Sequence, residues 1–332
     1  MPAAKGRPKN ATVERANQIT EYRQNGGGKS LVFQAAPLTL ASLPYRQPKA
    51  GTDVWVRRNG DFWLTLRPGV SMKPNGEHGS YGWPFGVIPR ALLMWVTAEA
   101  LRTKDPKIEL GSSLSDFVVK LLGQRATSGP NGTRTRVKEQ ANRLFNADIS
   151  YQWMGNGDRI QAGVNLKIAR AWRLDLGDGE MGQESLFPSY VQLSGDFFEE
   201  IIKSPVPLDL EAVRLLGSAA AMDLYAFITY KTFVLNKTGK YFLLTWDGMG
   251  DQFGYQFPKT SKGRYKLKEK VLPAWESVRR VYPKANVTVT DDGLLLGPGP
   301  TAVQPRKSSP KLGTGAGAWS GAPELISGNS SA

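Results

Sequence analysis

The feature that most restricts the fold of this chain is an order of predicted elements that occurs twice. In each half, the spacing of apolar residues predicts a helix, a short strand, a second helix, a basic third helix and a β-hairpin. The halves share this order without obvious residue identity. Three helices followed by a hairpin are typical of the winged helix-turn-helix. We therefore expect an α+β fold with two tandem winged-helix domains.

In the first half, the dipeptide Asn59-Gly60 separates two runs rich in aromatic and β-branched residues, which predicts a hairpin ahead of the repeated unit. The unit itself follows from apolar periodicity, caps and glycine-rich turns. Its expected elements are a helix at 89–102, a strand at 108–110, a helix that begins at Ser112 or Ser113, a helix at 133–146 and a hairpin around 155–157.

The second half follows from the same signals. Its expected helices lie at 208–216, 219–233, 246–253 and 263–281, and its expected strands at 240–245, 286–290 and 293–296, with Asp291-Asp292-Gly293 as the turn between the last two.

The length of 332 residues suits two domains of ordinary size. The polar, basic start predicts a flexible arm, the acidic stretch GDGEMGQES a linker, and the Gly-, Pro- and Ser-rich end a disordered tail. The expected parts are an arm at 1–30, a first winged-helix domain at 31–176, a linker at 177–186, a second winged-helix domain at 187–299 and a tail at 300–332.

The absence of cysteine and the presence of a single histidine, His78, exclude much catalytic and metal chemistry. Disulfides and thiolate sites are impossible, and no pair of histidines exists to hold a metal. We expect no catalytic residue, no metal site and no cofactor. Apolar runs fall short of the roughly 18–20 residues that a membrane span needs, and the start lacks the apolar centre of a signal peptide. We therefore expect a cytoplasmic protein.

The stretch QNGGGKSLVF at 24–33 ends like a nucleotide-binding loop but has the wrong spacing for one. Such a loop has a glycine, four residues and then Gly-Lys-Ser or Gly-Lys-Thr. Counting back from Gly28 places Arg23 where that glycine should be. A strand should also precede the loop and a helix should follow it. We interpret the glycines as a hinge, with Lys29 as at most one phosphate contact, and predict no ATP hydrolysis.

The charge of the chain indicates a polyanionic partner. Lysine and arginine number 43 against 29 acidic residues, which gives a net charge of +14 and a pI near 9.8. A basic, well-solvated surface is the plain alternative, whereas the specific interpretation is nucleic acid. The distribution of the charge over the faces of particular helices decides between them.

The last long helix, 263–281, separates apolar from cationic residues. At about 100° per residue, its apolar stripe is formed by Leu267, Val271, Trp275 and Val278. The opposite face and the entrance of the helix are basic, which suits the major groove of duplex DNA, although a solvated face is the alternative. The residues expected to contact DNA here are Lys259, Lys262, Arg264, Lys266, Lys270, Ser277 and Arg280.

The third helix of the first half, 133–146, shows the same separation more weakly. Val137, Ala141 and Leu144 form its inner stripe, and its candidate DNA contacts are Arg134, Arg136, Lys138 and Arg143. A winged helix in a dimer often uses this surface for protein contact, so both interpretations stay open.

A series of ordered motifs resembles the plasmid-encoded replication initiator proteins of the RepA type. They are SLPYRQPKAGTDVWVRRNG, YGWPFGVIPRALLMWVTAEALRT, IELGSSLSDFVVKLLG, EQANRLF, PVPLDLEAVRLL, AMDLYAFITY, LTWDGMGDQFG, VRRVYPKANV and GLLLGP. The resemblance covers roughly residues 38–300 and leaves out the arm and the tail.

The resemblance implies a protein that binds repeated sites (iterons) in double-stranded DNA at a plasmid origin. It also implies help in opening the duplex and recruitment of host initiator and helicase-loading proteins. Related initiators bind the origin as monomers and repress their own gene as dimers, with the first domain supplying the dimer contact. By position, the helix at 263–281 would read the bases, and the helix at 133–146 would be a secondary DNA or dimer element.

Two other functions compete with this one. A plasmid-borne transcriptional repressor without initiator activity would use the same surfaces. The DNA site near the gene distinguishes the two functions. Direct repeats beside an AT-rich stretch favour an initiator, and a lone palindrome favours a repressor. An enzyme that nicks DNA with a tyrosine needs a metal held by a histidine pair, and the chain has only His78.

Overall fold

The computed structural model describes residues 30–72, 75–111, 114–154, 161–174, 189–254, 257–258 and 260–303. Several expectations therefore lie outside the described residues. They are the arm up to residue 29 with its glycine hinge, the cap at Ser112 or Ser113, the turn at 155–157, the linker at 177–186, Lys259 and the tail beyond residue 303.

The described residues form both helices and strands, which confirms a fold of mixed α and β structure. The helices are α1 (Pro37–Leu40), α2 (Val87–Thr103), α3 (Leu114–Leu122), α4 (Thr133–Asn146), α5 (Gly195–Lys203), α6 (Leu210–Leu216), α7 (Ala219–Thr238), α8 (Trp246–Phe253) and α9 (Ser261–Val281). Within the described ranges, no helix is long and apolar enough to cross a membrane.

The strands form several small sheets. They are β1 (Leu31–Ala35), β2 (Trp55–Asn59), β3 (Phe62–Arg67), β4 (Val70–Met72), β5 (His78–Ser80), β6 (Lys107–Gly111), β7 (Asp148–Met154), β8 (Gln161–Lys167), β9 (Ala169–Arg173), β10 (Ser189–Leu193), β11 (Pro205–Asp209), β12 (Phe242–Thr245), β13 (Val287–Val289) and β14 (Gly293–Leu296).

Local signals place the helices of the second half. The hydroxyls of Ser218, Thr245 and Thr260 accept backbone N–H groups at the starts of α7, α8 and α9, at 3.1–3.2 Å. Gly239 and Gly254 end α7 and α8 in the left-handed region, with φ of 67° and 76°. The expected bounds of α8 and α4 are confirmed residue for residue because caps and turns flank them.

The expected helix at 208–216 is wrong at its start. Residues 205–209 form strand β11, and α6 begins only at Leu210, where the Asp209 carboxylate accepts the N–H groups of Glu211 and Ala212 at 2.9 and 3.2 Å. Pro205 and Pro207 argue against a central strand, but they are tolerated because β11 pairs with β1 alone in a two-stranded sheet.

Strand pairing joins chain segments from both sides of the expected linker. The antiparallel pair β1–β11 aligns Leu31 with Asp209 and Ala35 with Pro205. Strand β10 pairs with β6 on one side and β9 on the other. The hairpin β7–β8 extends β2–β3 into a four-stranded sheet, and the second half has its own sheet in the order β12-β14-β13.

One buried ion pair connects helices of the two halves. Arg90 on α2 contacts Asp223 on α7 through Nε–Oδ1 at 2.7 Å and Nη2–Oδ2 at 2.8 Å, with side chains 3% and 7% exposed. The same guanidinium donates to the carbonyls of Leu43, Pro44 and Gly86 at 2.6, 3.3 and 2.7 Å. All its donors are therefore satisfied, which is what a buried charge requires.

Lys231 on α7 is largely buried and makes no ion pair with any residue of the described ranges. Its ammonium lies 3.9 Å from the centre of the Phe242 ring, and burial lowers its pKa to about 8. We expect Lys231→Met to raise the free energy of unfolding at pH 7 by about 1 kcal/mol or more, because it removes a poorly solvated charge. Urea denaturation measures this.

The advantage of Lys231→Met should shrink as the pH rises from 8 toward 10. Between these values the unfolded wild type binds more protons than the folded one, so its stability increases with pH. Lys237→Met is the control, since Lys237 is exposed on the same helix and lies 4.3 Å above the Phe233 ring. An advantage that is equal at pH 7 and pH 10 would contradict the assignment.

Candidate nucleic-acid interface

The inner face of α9 is apolar and buried, as the sequence predicts. Leu267, Val271 and Trp275 are each 3% exposed, and Val278 is fully buried. This stripe packs α9 against α7, α6 and α8. The packing fixes which side of the helix faces solvent.

The outer face of α9 carries a row of lysines. Lys262, Lys266 and Lys270 recur every four residues, and all three are exposed. None of them makes an ion pair with a residue in the part of the chain that the structure describes. Arg280 is exposed on the same side, next to Val281, the last residue of the helix. A row of three exposed lysines without an ion-pair partner among the described residues attracts a polyanion.

Other side chains interrupt this row. Tyr265 is 64% exposed and Glu269 is exposed between the lysines. Ser277 is half-buried and donates its hydroxyl to the Pro273 carbonyl at 2.9 Å, so this donor is already engaged. Pro273 lies on the exposed side of the helix, where water can satisfy the carbonyl that its missing N–H leaves open.

Arg264 has a different role from the lysines. Its Nη2 and Nε contact the two carboxylate oxygens of Asp247 on α8, at 2.8 and 3.2 Å. These hydrogen bonds raise the pKa of Arg264. Lys268 similarly lies 5.1 Å from the ring of Trp246, the first residue of α8. Both side chains stabilise the packing of α8 against α9. Helical periodicity alone does not predict that Asp247 and Trp246 are their partners.

The entrance of α9 depends on a close backbone approach at Gly263, which is buried. A Cβ at this position would overlap the backbone oxygen of Pro258. We expect Gly263→Ala to lower the free energy of unfolding by roughly 1–3 kcal/mol, since the segment before α9 must shift. Thermal denaturation measures the loss. Gly195→Ala is the control, because a Cβ there meets no atom within 4 Å; equal effects would contradict the interpretation.

In α4, Val137, Ala141 and Leu144 are buried, as expected. Of the candidate contacts, Arg136 is exposed, whereas Arg134 and Lys138 are half-buried. The fourth candidate, Arg143, is turned toward neighbouring side chains. Its side chain is 20% exposed, 3.7 Å from Glu139 and 5.4 Å from the Phe85 ring.

The hairpin after α9 has an acidic tip. Asp291 and Asp292 are exposed at the turn between β13 and β14, and the Trp246 indole donates to the Asp291 carbonyl at 2.7 Å. The hairpin is therefore held against α8, but its tip repels phosphates. Among the described residues, no three His, Cys, Asp or Glu side chains lie close enough to hold a metal ion.

The comparisons with known proteins identify the family. The sequence profile described as "Plasmid encoded RepA protein" matches residues 83–248, which are 166 of the 332 residues and end within α8. No curated protein sequence matches significantly. Among crystal structures of domains 2 and 3 of RctB, one matches at 10% identity with a TM-score of 0.46, over 76% of this chain and 87% of that one. Another matches at 11% identity with a TM-score of 0.44, over 73% and 82%. On the profile match, the chain belongs to the family of plasmid-encoded RepA proteins.

Proposed function

We propose that this protein initiates plasmid replication by binding repeated sites at the plasmid origin through α9. The observation that carries the proposal is the row of three exposed lysines on α9, opposite a buried apolar stripe. A helix with a packed back and a cationic front is suited to the major groove. The Lys side chains contact phosphates, and arginine reads guanine where it reaches the base edge.

The order of elements supports a winged-helix interpretation of the second half. The order of its elements is helix α7, strand β12, helices α8 and α9, and the hairpin β13–β14. Strand β14 lies at the centre of the sheet and pairs with both β12 and β13. Helix α9 is then the third helix, which is the recognition helix of this motif. The acidic tip of the hairpin indicates that the wing contributes little to phosphate binding.

The first half has the same order in α2, β6, α3, α4 and the hairpin β7–β8. Its strand β6 pairs with β10 rather than with the hairpin, so this half is a modified winged helix. The proposed domains are 31–176 and 187–299, although β10 and β11, at the start of the second domain, pair with strands of the first. Arg134 and Arg143 of α4 are half-buried, which favours a dimer contact as the main role of this helix. Contact with DNA is then an accessory role. In the dimer the protein represses its own gene, and as a monomer it opens the origin and recruits host initiator and helicase-loading proteins.

Footprinting of the protein on the DNA that flanks its own gene tests the proposal. We expect protection of several direct repeats beside an AT-rich stretch. Protection of a single palindrome, with no repeats, would favour a transcriptional repressor instead. No protection at any flanking site would contradict a DNA-binding function near the gene.

A further inference from the structure

A cavity of about 410 Å³ lies where the β2–β3 hairpin meets α8 and α9. Its walls come from both halves of the chain, with Arg57, Arg58 and Trp63 from the hairpin, Asp247 and Asp251 from α8, and Arg264 from α9. The cavity therefore adjoins the N-terminal turn of the helix that carries the lysine row.

The charges of the lining are predominantly positive. Three arginines face two aspartates, and Asp247 is already paired with Arg264. The start of α9 adds the positive end of the helix dipole, while the Gly263 N–H itself is already bonded to the Thr260 hydroxyl. An anion is the class of ligand that this combination attracts.

Arg57 is a buried cation beside the same cavity. It is one of the lining residues, and its side chain is 6% exposed, packed on Gly254 with the guanidinium carbon 3.3 Å from the centre of the Trp55 ring. Nη1 donates to the Val56 carbonyl at 2.5 Å, whereas Nε and Nη2 are buried and reach no acceptor within the described ranges. Burial lowers the pKa of Arg57 to about 10, so the side chain stays charged at neutral pH without a carboxylate hydrogen-bonded to it among the described residues.

Arg58 is the residue that can reach a ligand directly. It is exposed, its Nε donates to the Gly60 carbonyl at 2.8 Å, and its guanidinium carbon lies 5.0 Å above the Trp63 ring. The hairpin turn and the indole hold the side chain in place, while both terminal nitrogens remain without an acceptor among the residues that the structure describes. A planar guanidinium held in this way is suited to two hydrogen bonds to one phosphate.

We propose that this cavity binds a phosphate group, held by Arg58 against the first turn of α9, with Arg57 contributing a buried positive charge behind it. The inference rests on the proposed function, because its occupant is the DNA backbone phosphate that flanks the site read by α9. The first half of the chain thereby adds a DNA contact from β2, separate from the one expected at α4. The same chemistry would accept free inorganic phosphate.

The test compares Arg58→Gln with Arg67→Gln by fluorescence anisotropy across a salt series, on the duplex that footprinting identifies. Arg67 is exposed on the neighbouring strand β3 and lies outside this cavity, so its replacement removes the same charge. Loss of one phosphate contact lowers the slope of log K against log salt by about 0.9. Between about 50 and 200 mM salt, the wild type should therefore lose about 3.5-fold more affinity than Arg58→Gln.

A second arm distinguishes the source of the phosphate. Melting of the full chain is followed with inorganic phosphate, at constant ionic strength. A lowered DNA slope in Arg58→Gln alone supports the proposal with DNA as the source. An unchanged slope, with phosphate raising the Tm of the wild type and not of Arg58→Gln, supports it with free phosphate. If neither is seen, the proposal is overturned. Replacement of Lys266 and Lys270 on α9 tests the DNA-binding function separately.

Discussion

Replacing Lys266 and Lys270 together by Ala is expected to weaken binding to the origin repeat and to flatten its salt dependence. Both ammonium groups are exposed on the outer face of α9 and have no ion-pair partner within the described ranges. Each phosphate contact contributes about 0.9 to the slope of log K against log salt, so the double variant should lose about 1.8. Between about 50 and 200 mM salt, the wild type should then lose about 12-fold more affinity than the variant.

The matched control is Lys49→Ala with Lys120→Ala, which removes two exposed lysines from the first half. It changes the net charge equally and should leave the slope near that of the wild type. Glu269→Gln gives the opposite test, because it removes the acid that lies between the two lysines and should strengthen binding. If the double variant on α9 binds with an unchanged slope, the DNA-binding surface lies elsewhere.

The sequence predicts the second half of the fold well where its signals are local. Thr245 before α8, Gly254 after it and the turn before Gly293 mark boundaries that the structure confirms. The two faces of α9 follow from the spacing of Leu267 and Lys266 in the same way. Caps, glycine turns and helical periodicity involve residues within a few positions of each other, which is why one sequence suffices.

Pairing between distant segments could not be predicted. Strand β11 joins β1 across more than 170 residues, and its two prolines mask its strand character. The partner of Arg264 lies 17 residues away on another helix. Arg57 and Arg58 look like ordinary hairpin residues until the fold places them beside α8 and α9. A pattern along the chain reports which face is buried, but not what lies against it.

Breaking the Arg90–Asp223 pair is expected to have the largest effect on stability. Asp223→Asn keeps the shape of the side chain but leaves a guanidinium that is 3% exposed without its counter-charge. Losing one partner of a buried pair costs about 3–5 kcal/mol. Arg90→Met should cost at least as much, because the carbonyls of Leu43 and Gly86 also lose their donor. Urea denaturation followed by circular dichroism measures both.

The double variant Arg90→Met/Asp223→Leu separates charge from packing. It removes both ions, so it should be less destabilised than the sum of the single variants, while the cost of the orphaned carbonyls remains. Arg102→Met is the control on the same helix: Arg102 pairs with Glu99 at 2.6 Å but is 69% exposed, so its loss should change the free energy of unfolding far less than either replacement at the buried pair. A cost below about 1 kcal/mol for Asp223→Asn would show that the pair does not hold α2 to α7, and that strand pairing and apolar packing alone connect the two halves.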